Sequence, residues 1–318
     1  MRDLAIFLGR RLGGLALTML AVSFLVFLTL EFNVEGVAVK VLGQFSTPDQ
    51  RHAWLAENGY LDPFLLRYLR WLAGFVTGHW GTSTYYHEDI ARLIAPRLGA
   101  SAILAGAALL VMVPLSLILG VAAGAREGSL LDRSISLIAI VTTSIPEFAS
   151  AVFLSAVFVI GLGWLPGVST MAGGFNLREL VLPVSVLVLA STGYIARMTR
   201  SSMAEVMNQP YVRTARLKGA SPARIILRHA LRNALITPVT VIMLQIPWIL
   251  SGVIVVEVFF AYRGFGTLLY QASLNADVYL VESCAMVSVL VVVVTQMLAD
   301  LIYVRLDPRL AAATGRKP

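Results

Sequence analysis

Apolar residues gather into six long runs, at 12–30, 100–125, 135–162, 180–196, 235–256 and 281–304, with polar residues filling the stretches between them. The first run carries no charge over 19 residues. As a helix it is ~28 Å long, close to the ~30 Å hydrocarbon core of a bilayer. The pattern predicts six membrane-spanning helices. A cleaved signal peptide is the rival reading of the first run, but the run exceeds a usual signal core and no small-residue cleavage pattern follows it. A twin-arginine signal also fits poorly, because Arg10-Arg11 is followed by Leu12-Gly13-Gly14. The run 135–162 is long for one span, and Pro146 within it either kinks the helix or starts it afresh. Pro114, Pro183, Pro238 and Pro247 interrupt other runs, and the carbonyls they free call for protein partners.

Two stretches are too polar to span. In 31–99, the segment 63–76 places Leu65, Leu66, Leu69, Leu72 and Ala73 at helical spacing and predicts a short amphipathic helix. Trp54, Trp71 and Trp80 in this stretch read as anchors at a membrane interface. The second polar stretch is 197–232. The sequence therefore divides into a segment 1–11, a first span 12–30, an outer subdomain 31–99, a core 100–304 containing the loop 197–232, and a tail 305–318.

Composition agrees with that division. Hydrophobic residues make up 58% of the 318-residue chain and charged residues 14%, against roughly 25% charged in soluble domains. A disordered chain, a collagen and an ordinary soluble enzyme are excluded. The single cysteine, Cys284, excludes an intrachain disulfide and a multi-cysteine metal site. With both ends placed in the cytoplasm, 17 of the 25 basic residues fall inside and 8 outside, while 11 of the 18 acidic residues fall outside. This bias fixes the orientation through the positive-inside rule. Ser144, Glu147 and Gln245 lie within apolar runs beside Pro146 and Pro247. Polar groups at that depth face a cavity or a partner helix, which makes the three candidate pathway residues. Asp300, near Arg305 at the inner end of the last span, reads as a structural ion partner.

The loop 197–232 is dense in Arg213, Arg216, Lys218, Arg224, Arg228 and Arg232. Gly219 suits the turn that ends a helix. Ser221-Pro222 is a helix start, with serine at the N-cap and proline in the first position. The expected motif is helix, sharp turn, helix, with Arg224, Arg228 and Arg232 forming one stripe on the second helix. Lipid headgroup contact accounts for such a stripe. A compact knob between two spans points further, to docking of a protein.

At this point the chain resembles a known family. The run Tyr211-Val212-Arg213-Thr214-Ala215-Arg216-Leu217-Lys218-Gly219-Ala220-Ser221, with 228–235 after it, is similar to the cytoplasmic loop of the B-type permease subunits of dipeptide, oligopeptide and nickel ABC importers. These are binding-protein-dependent inner-membrane components. Further matches follow in order: Arg10-Arg11-Leu12; Tyr68 and Trp71-Leu72; Gly78-His79-Trp80-Gly81-Thr82-Ser83; Ser144-Ile145-Pro146; Gly163-Trp164-Leu165-Pro166; Glu257-Val258-Phe259-Phe260; Gly264-Phe265-Gly266; and Leu306-Asp307-Pro308-Arg309. The chain departs from the family in Leu217, where alanine is usual, in Pro238, one residue late, in Asn33-Val34-Glu35-Gly36, where Pro-Gly-Asp-Pro is common, and in His79, where an acidic residue is usual.

The resemblance implies an all-α type I ABC importer fold of six transmembrane helices, in a bacterial inner membrane, with both termini cytoplasmic. It implies four kinds of partner: a second homologous permease, two ATPase subunits, an extracytoplasmic solute-binding protein and the lipid bilayer. ATP and Mg would be bound by the ATPase subunits, and this chain would hold no cofactor. Ala215, Arg216, Lys218, Gly219, Ala220 and Ser221 would form the coupling helix seated in an ATPase cleft. Peptides are the cargo the resemblance suggests first, with nickel and opine- or sugar-derived solutes as alternatives.

The residues themselves weigh against other classes. None of the three lysines follows a glycine, so no phosphate-cradling Walker loop is present. No HExxH pattern occurs, and Cys284 has no histidine on its helix. An intramembrane enzyme lacks its constellation of groups, and no inverted repeat supports a secondary transporter. His79, His87, Glu88 and Asp89 are conceivable nickel ligands, although ordinary solvated loop residues account for them better on ligand-count grounds.

Overall fold

The computed structural model describes residues 2–306, and the tail beyond them, the side chain of Asp300 and its expected ion pair lie outside the described residues. Among these residues the chain is helical, with one isolated β-bridge between Thr82 and Asp89. It divides into two compact units, one comprising 1–101 with 263–297, the other 102–262 with the end of the last helix.

In the first unit, α1 (Arg2–Glu31) is followed by α2 (Val34–Leu42), α3 (Pro48–Glu57) and α4 (Phe64–Thr77). Helix α3 starts with a capping box in which the Thr47 hydroxyl accepts from the Gln50 N–H and the Gln50 side chain accepts from Thr47 N–H. Such a cap satisfies two donors that a helix start would otherwise leave bare. Helix α4 falls where its periodicity predicted, but its faces are the reverse of the simple expectation. Leu65, Leu66 and Leu69 are exposed, whereas Arg67 and Tyr68 are buried. The cause is Glu31 at the end of α1. Arg67 donates to the Glu31 carbonyl at 2.9 Å and to the Tyr60 carbonyl at 3.2 Å, and lies 3.5 Å from the Glu31 carboxylate. Tyr60 donates its hydroxyl to that carboxylate at 2.7 Å. Burial first, and the Glu31 charge second, hold the Tyr60 phenol far above its ordinary range, so it stays protonated as a donor. Trp71 packs on Phe27 and Phe75, and Trp54 stacks on Tyr60.

Helix α5 (Ile90–Gly124) begins in this unit, ten residues before the expected span. After the second unit the chain returns through α13 (Phe265–Leu274) and α14 (Val278–Leu306). Their inner faces meet Ile90 and Ile94 in a core with Leu268, Leu280 and Cys284. Asp277 is fully buried before α14, where it accepts from the Ser83 hydroxyl at 2.5 Å and from the Leu280 N–H at 3.2 Å.

The second unit is built on α8 (Leu177–Met207), which packs against α6 (Leu130–Ser144), α7 (Glu147–Ser155) and α12 (Ile236–Phe259). Glycines allow the close crossings. A β-carbon at Gly193 would overlap the Ala139 carbonyl oxygen of α6, and one at Gly120 would overlap Thr199 and the Ala196 carbonyl. The expected span 135–162 is two helices rather than one. Helix α6 stops at Ser144, and α7 with the π segment Ala156–Gly161 leaves it at 101°. Proline disfavours helical backbone in the residue before it, and Ile145 is extended, at φ −85° and ψ 124°. Among the described residues, four helices are long and apolar enough to cross a bilayer alone, at 13–31, 90–124, 177–207 and 278–298. The number becomes six if this bent pair and the pair 222–234 with 236–246, bent by 51°, each count as one span.

Candidate functional site

The polar loop folds as a knob between α8 and α12. Helix α9 (Pro210–Leu217) starts with proline in its first turn and buries Val212 and Ala215 on one side. They pack with Ile225, against Met207 and Ala220. The helix ends in a Schellman motif. The Ala220 N–H reaches the Ala215 carbonyl at 3.1 Å, and the Gly219 N–H reaches the Arg216 carbonyl at 2.9 Å. Gly219 takes φ +78°, a conformation that costs other residues about 1–2 kcal/mol. A β-carbon there would meet open space, so only the backbone demands glycine.

Ser221 is extended and Pro222 opens α10 (Pro222–Arg224), as expected from the sequence. The Ser221 hydroxyl, however, makes no cap hydrogen bond, so proline alone marks the start. The helix continues through a π segment, Ile225–Ala230, into α11 (Leu231–Ala234). Arg224, Arg228 and Arg232 are all exposed along it. The knob is pinned to α8, because Ser202 donates to the Ala234 carbonyl at 2.9 Å, and Met203, Ala230 and Ala234 form a fully buried contact. Asn233 also ties back to the Tyr211 hydroxyl at 2.9 Å.

The candidate coupling residues thus meet in one turn. Arg216, Lys218, Gly219 and Ser221 are exposed, Ala220 is half-buried, and Ala215 is buried as a support. Leu217 is 81% exposed at the tip. The sequence flagged it only as a departure from alanine. Behind the turn lies a cavity of about 470 Å³ bordered by Arg126, Arg216, Met207, Pro222 and Ile225.

A second feature escaped the sequence reading. Arg200 on α8 holds Asp132 at the start of α6 through two parallel hydrogen bonds, Nε to Oδ1 at 2.9 Å and Nη2 to Oδ2 at 2.7 Å. Asp132 also accepts from the Gly128 N–H at 2.9 Å, and Glu127 lies 3.5 Å from Arg200. The fork geometry makes this the strong form of an ion pair. Asp132 and Arg200 occupy two different segments that the charge bias predicts on the same side of the membrane, and opposite charges on that side were the available signal.

The candidate pathway residues are spread over three helices. Ser144 is exposed, and its hydroxyl is spent on the Ile140 carbonyl at 2.8 Å. Glu147 opens α7 and Gln245 lies along α12, both half-buried, and α7 packs on α12. The conceivable nickel ligands are not gathered: among the described residues no group of three or more His, Cys, Asp or Glu could hold a metal ion.

Residues 116–312 match the family described as binding-protein-dependent transport system inner membrane component. The chain belongs to this family. It is 34% identical to the oligopeptide transport system permease protein AppB of Bacillus subtilis over 82% of this chain and 84% of that one. It is 33% identical to a putative peptide transport system permease protein of Brucella abortus, over 92% and 94%. It is 32% identical to the di/tripeptide transport system permease protein DppB of Pseudomonas aeruginosa, over 96% and 98%. The family match and the apolar helices make the chain a multi-pass permease of the bacterial inner membrane, with the type I importer fold.

Proposed function

We propose that this permease is one half of the translocation pathway of an ATP-driven importer for di- and oligopeptides, and that residues 215–221 form its coupling helix. The relatives' names supply the cargo. The observation that supports the coupling role is the rigid, glycine-capped turn that bares Arg216, Leu217 and Lys218 on a knob pinned to α8. In this reading ATP and Mg are held by two partner ATPase subunits, which draw the knobs together when they close. A second permease completes the pathway, and an extracytoplasmic binding protein delivers the peptide. Ser144, Glu147 and Gln245 border the pathway, six spans cross the membrane, and both termini face the cytoplasm. Arg216 and Lys218 supply charge-assisted hydrogen bonds to the ATPase.

Reconstitution tests the reading. Proteoliposomes holding both permeases and the ATPase subunits should take up labelled alanyl-alanine only with ATP inside and binding protein outside. Uptake that persists without the ATPase subunits would identify an ATP-independent carrier instead.

A further inference from the structure

The cavity of about 470 Å³ behind the Gly219 turn carries two cations and no anion. Arg126 and Arg216 line it, and none of its lining residues is acidic. Among the described residues neither guanidinium has a hydrogen bond or an ion pair. The carboxylates that follow Arg126 in sequence, Glu127 and Asp132, are both committed to Arg200. The rest of the wall is mostly apolar, with Met207, Pro222, Ile225 and Ile226. That wall is part of the knob's own packing. Ile225 is 2% exposed, and Met207 packs against both apolar clusters of the knob.

A cavity with two unpaired guanidiniums and apolar walls suits an anion carried on an apolar body. Guanidinium groups hold phosphate oxygens through paired N–H donors. A free inorganic phosphate would leave the apolar wall uncovered. The position of the cavity narrows the choice further. Residues 98–125 contain no charge, and they complete α5, which is long and apolar enough to cross a bilayer. Arg126 is the first cation beyond that run, which places it at the level of the lipid headgroups. Basic pockets beside spanning helices are sites for anionic lipid headgroups.

We infer that this cavity binds the headgroup of an anionic phospholipid, with Arg126 and Arg216 on its phosphate and Met207, Ile225 and Ile226 against its glycerol. The volume lies within the roughly 300–1,000 Å³ of pockets that enclose small ligands, so the headgroup enters and the acyl chains stay in the bilayer. A guanidinium has five N–H donors, so Arg216 holds the phosphate and still presents donors to an ATPase. The lipid site stands on the cavity and its two arginines, whether or not the turn docks an ATPase.

The test uses the two permeases with their ATPase subunits, delipidated in maltoside detergent, and reads bound lipid by native mass spectrometry. Dioleoylphosphatidylglycerol, dioleoylphosphatidylcholine and inorganic phosphate are titrated in separately. Phosphatidylglycerol should bind, and phosphatidylcholine, whose own cation offsets its phosphate, should bind at least tenfold more weakly. Arg126→Gln and Arg216→Gln should each weaken phosphatidylglycerol severalfold, and the double variant tenfold or more. Arg263→Gln removes an equal charge from an exposed position in the other unit and should change nothing. Equal affinity for the two lipids, unchanged binding in the double variant, or an equal loss in Arg263→Gln overturns the site. Inorganic phosphate that binds as tightly as phosphatidylglycerol overturns the lipid as the source of the phosphate. The permease pair without ATPase subunits should bind the lipid equally well. Binding only in their absence would give the cavity to acidic side chains of the ATPase and overturn the lipid. Should Arg216→Gln shed the ATPase subunits, Arg126→Gln carries the test alone, and an unchanged affinity in it overturns the site.

Discussion

At the scale of single residues, the turn proposed for coupling depends on Gly219 for its backbone, and in that proposal on its neighbours for contact. The two roles separate by substitution. Gly219→Val places a β-branched residue at φ +78°, a genuine outlier for such a side chain, and should distort the turn. The permease should still insert, while the ATPase subunits are lost on purification and uptake falls to background. Gly219→Asn should largely restore both, because asparagine visits this conformation and its β-carbon meets open space. Arg216→Glu should weaken the assembly without disturbing the turn, and Arg263→Glu, in the other unit, should leave it intact. Stoichiometric co-purification and normal uptake by Gly219→Val would remove 215–221 from the coupling role. The Asp132–Arg200 fork supports a second prediction. Asp132→Asn keeps the shape and removes the charge, and should cost roughly 1.5–3 kcal/mol, the range for a hydrogen bond to a charged group. Arg200→Gln should cost at least as much, because it strands the buried Asp132 carboxylate without its counter-charge, whereas the Arg200 left behind by Asp132→Asn is partly exposed. The double variant should fall short of the sum by about 0.5 kcal/mol or more. Additive losses in thermal unfolding of the purified permease would show that the two residues act separately.

At the scale of elements, the bend after α6 follows from Pro146 and from the packing of α7 on α8 and α12. Pro146→Ala lifts the constraint on residue 145 and should let α6 and α7 drift toward one straight helix. Spin labels at 138 and 153, both exposed positions, would lie ~22 Å apart along such a helix at their backbones and closer in the bent pair. The variant should show a longer or broader distance distribution and reduced uptake; an unchanged distribution would mean that packing alone sets the bend. The long helices were legible as apolar runs, and the turn at Gly219 was legible because glycine and Ser-Pro are local signals. The sense of the break at Pro146 was open, since a proline inside an apolar run is compatible with a kinked span or two half-helices. Helix α3 carried a readable start in Thr47-Pro48-Asp49-Gln50, but its body is polar and has no apolar period. Arg67 could not be placed from sequence, because its burial depends on Glu31, 36 residues away. The π segments were equally hidden, as they reflect local helix strain rather than composition.

At the scale of the whole molecule, orientation rests on charge. The segment holding the coupling turn carries eight of the basic residues in 197–232, and moving it across the membrane would place them on the wrong side of the positive-inside bias. The outer stretch 31–99 carries six basic and seven acidic residues, so little opposes its translocation. Residues 31–99 should therefore face outward and 197–232 inward. Cysteine labelling checks this cleanly, because the single native thiol, Cys284, is fully buried and contributes little background. A membrane-impermeant maleimide applied to intact spheroplasts should modify Gln44→Cys and leave Ser221→Cys untouched, while disrupted membranes should expose both exposed positions. The native chain should stay unlabelled in either preparation. Labelling of Ser221→Cys from outside would invert the permease, and with it the side on which any ATPase could reach the knob. The coupling proposal would then fall even with the Gly219 turn intact, since ATP is supplied in the cytoplasm.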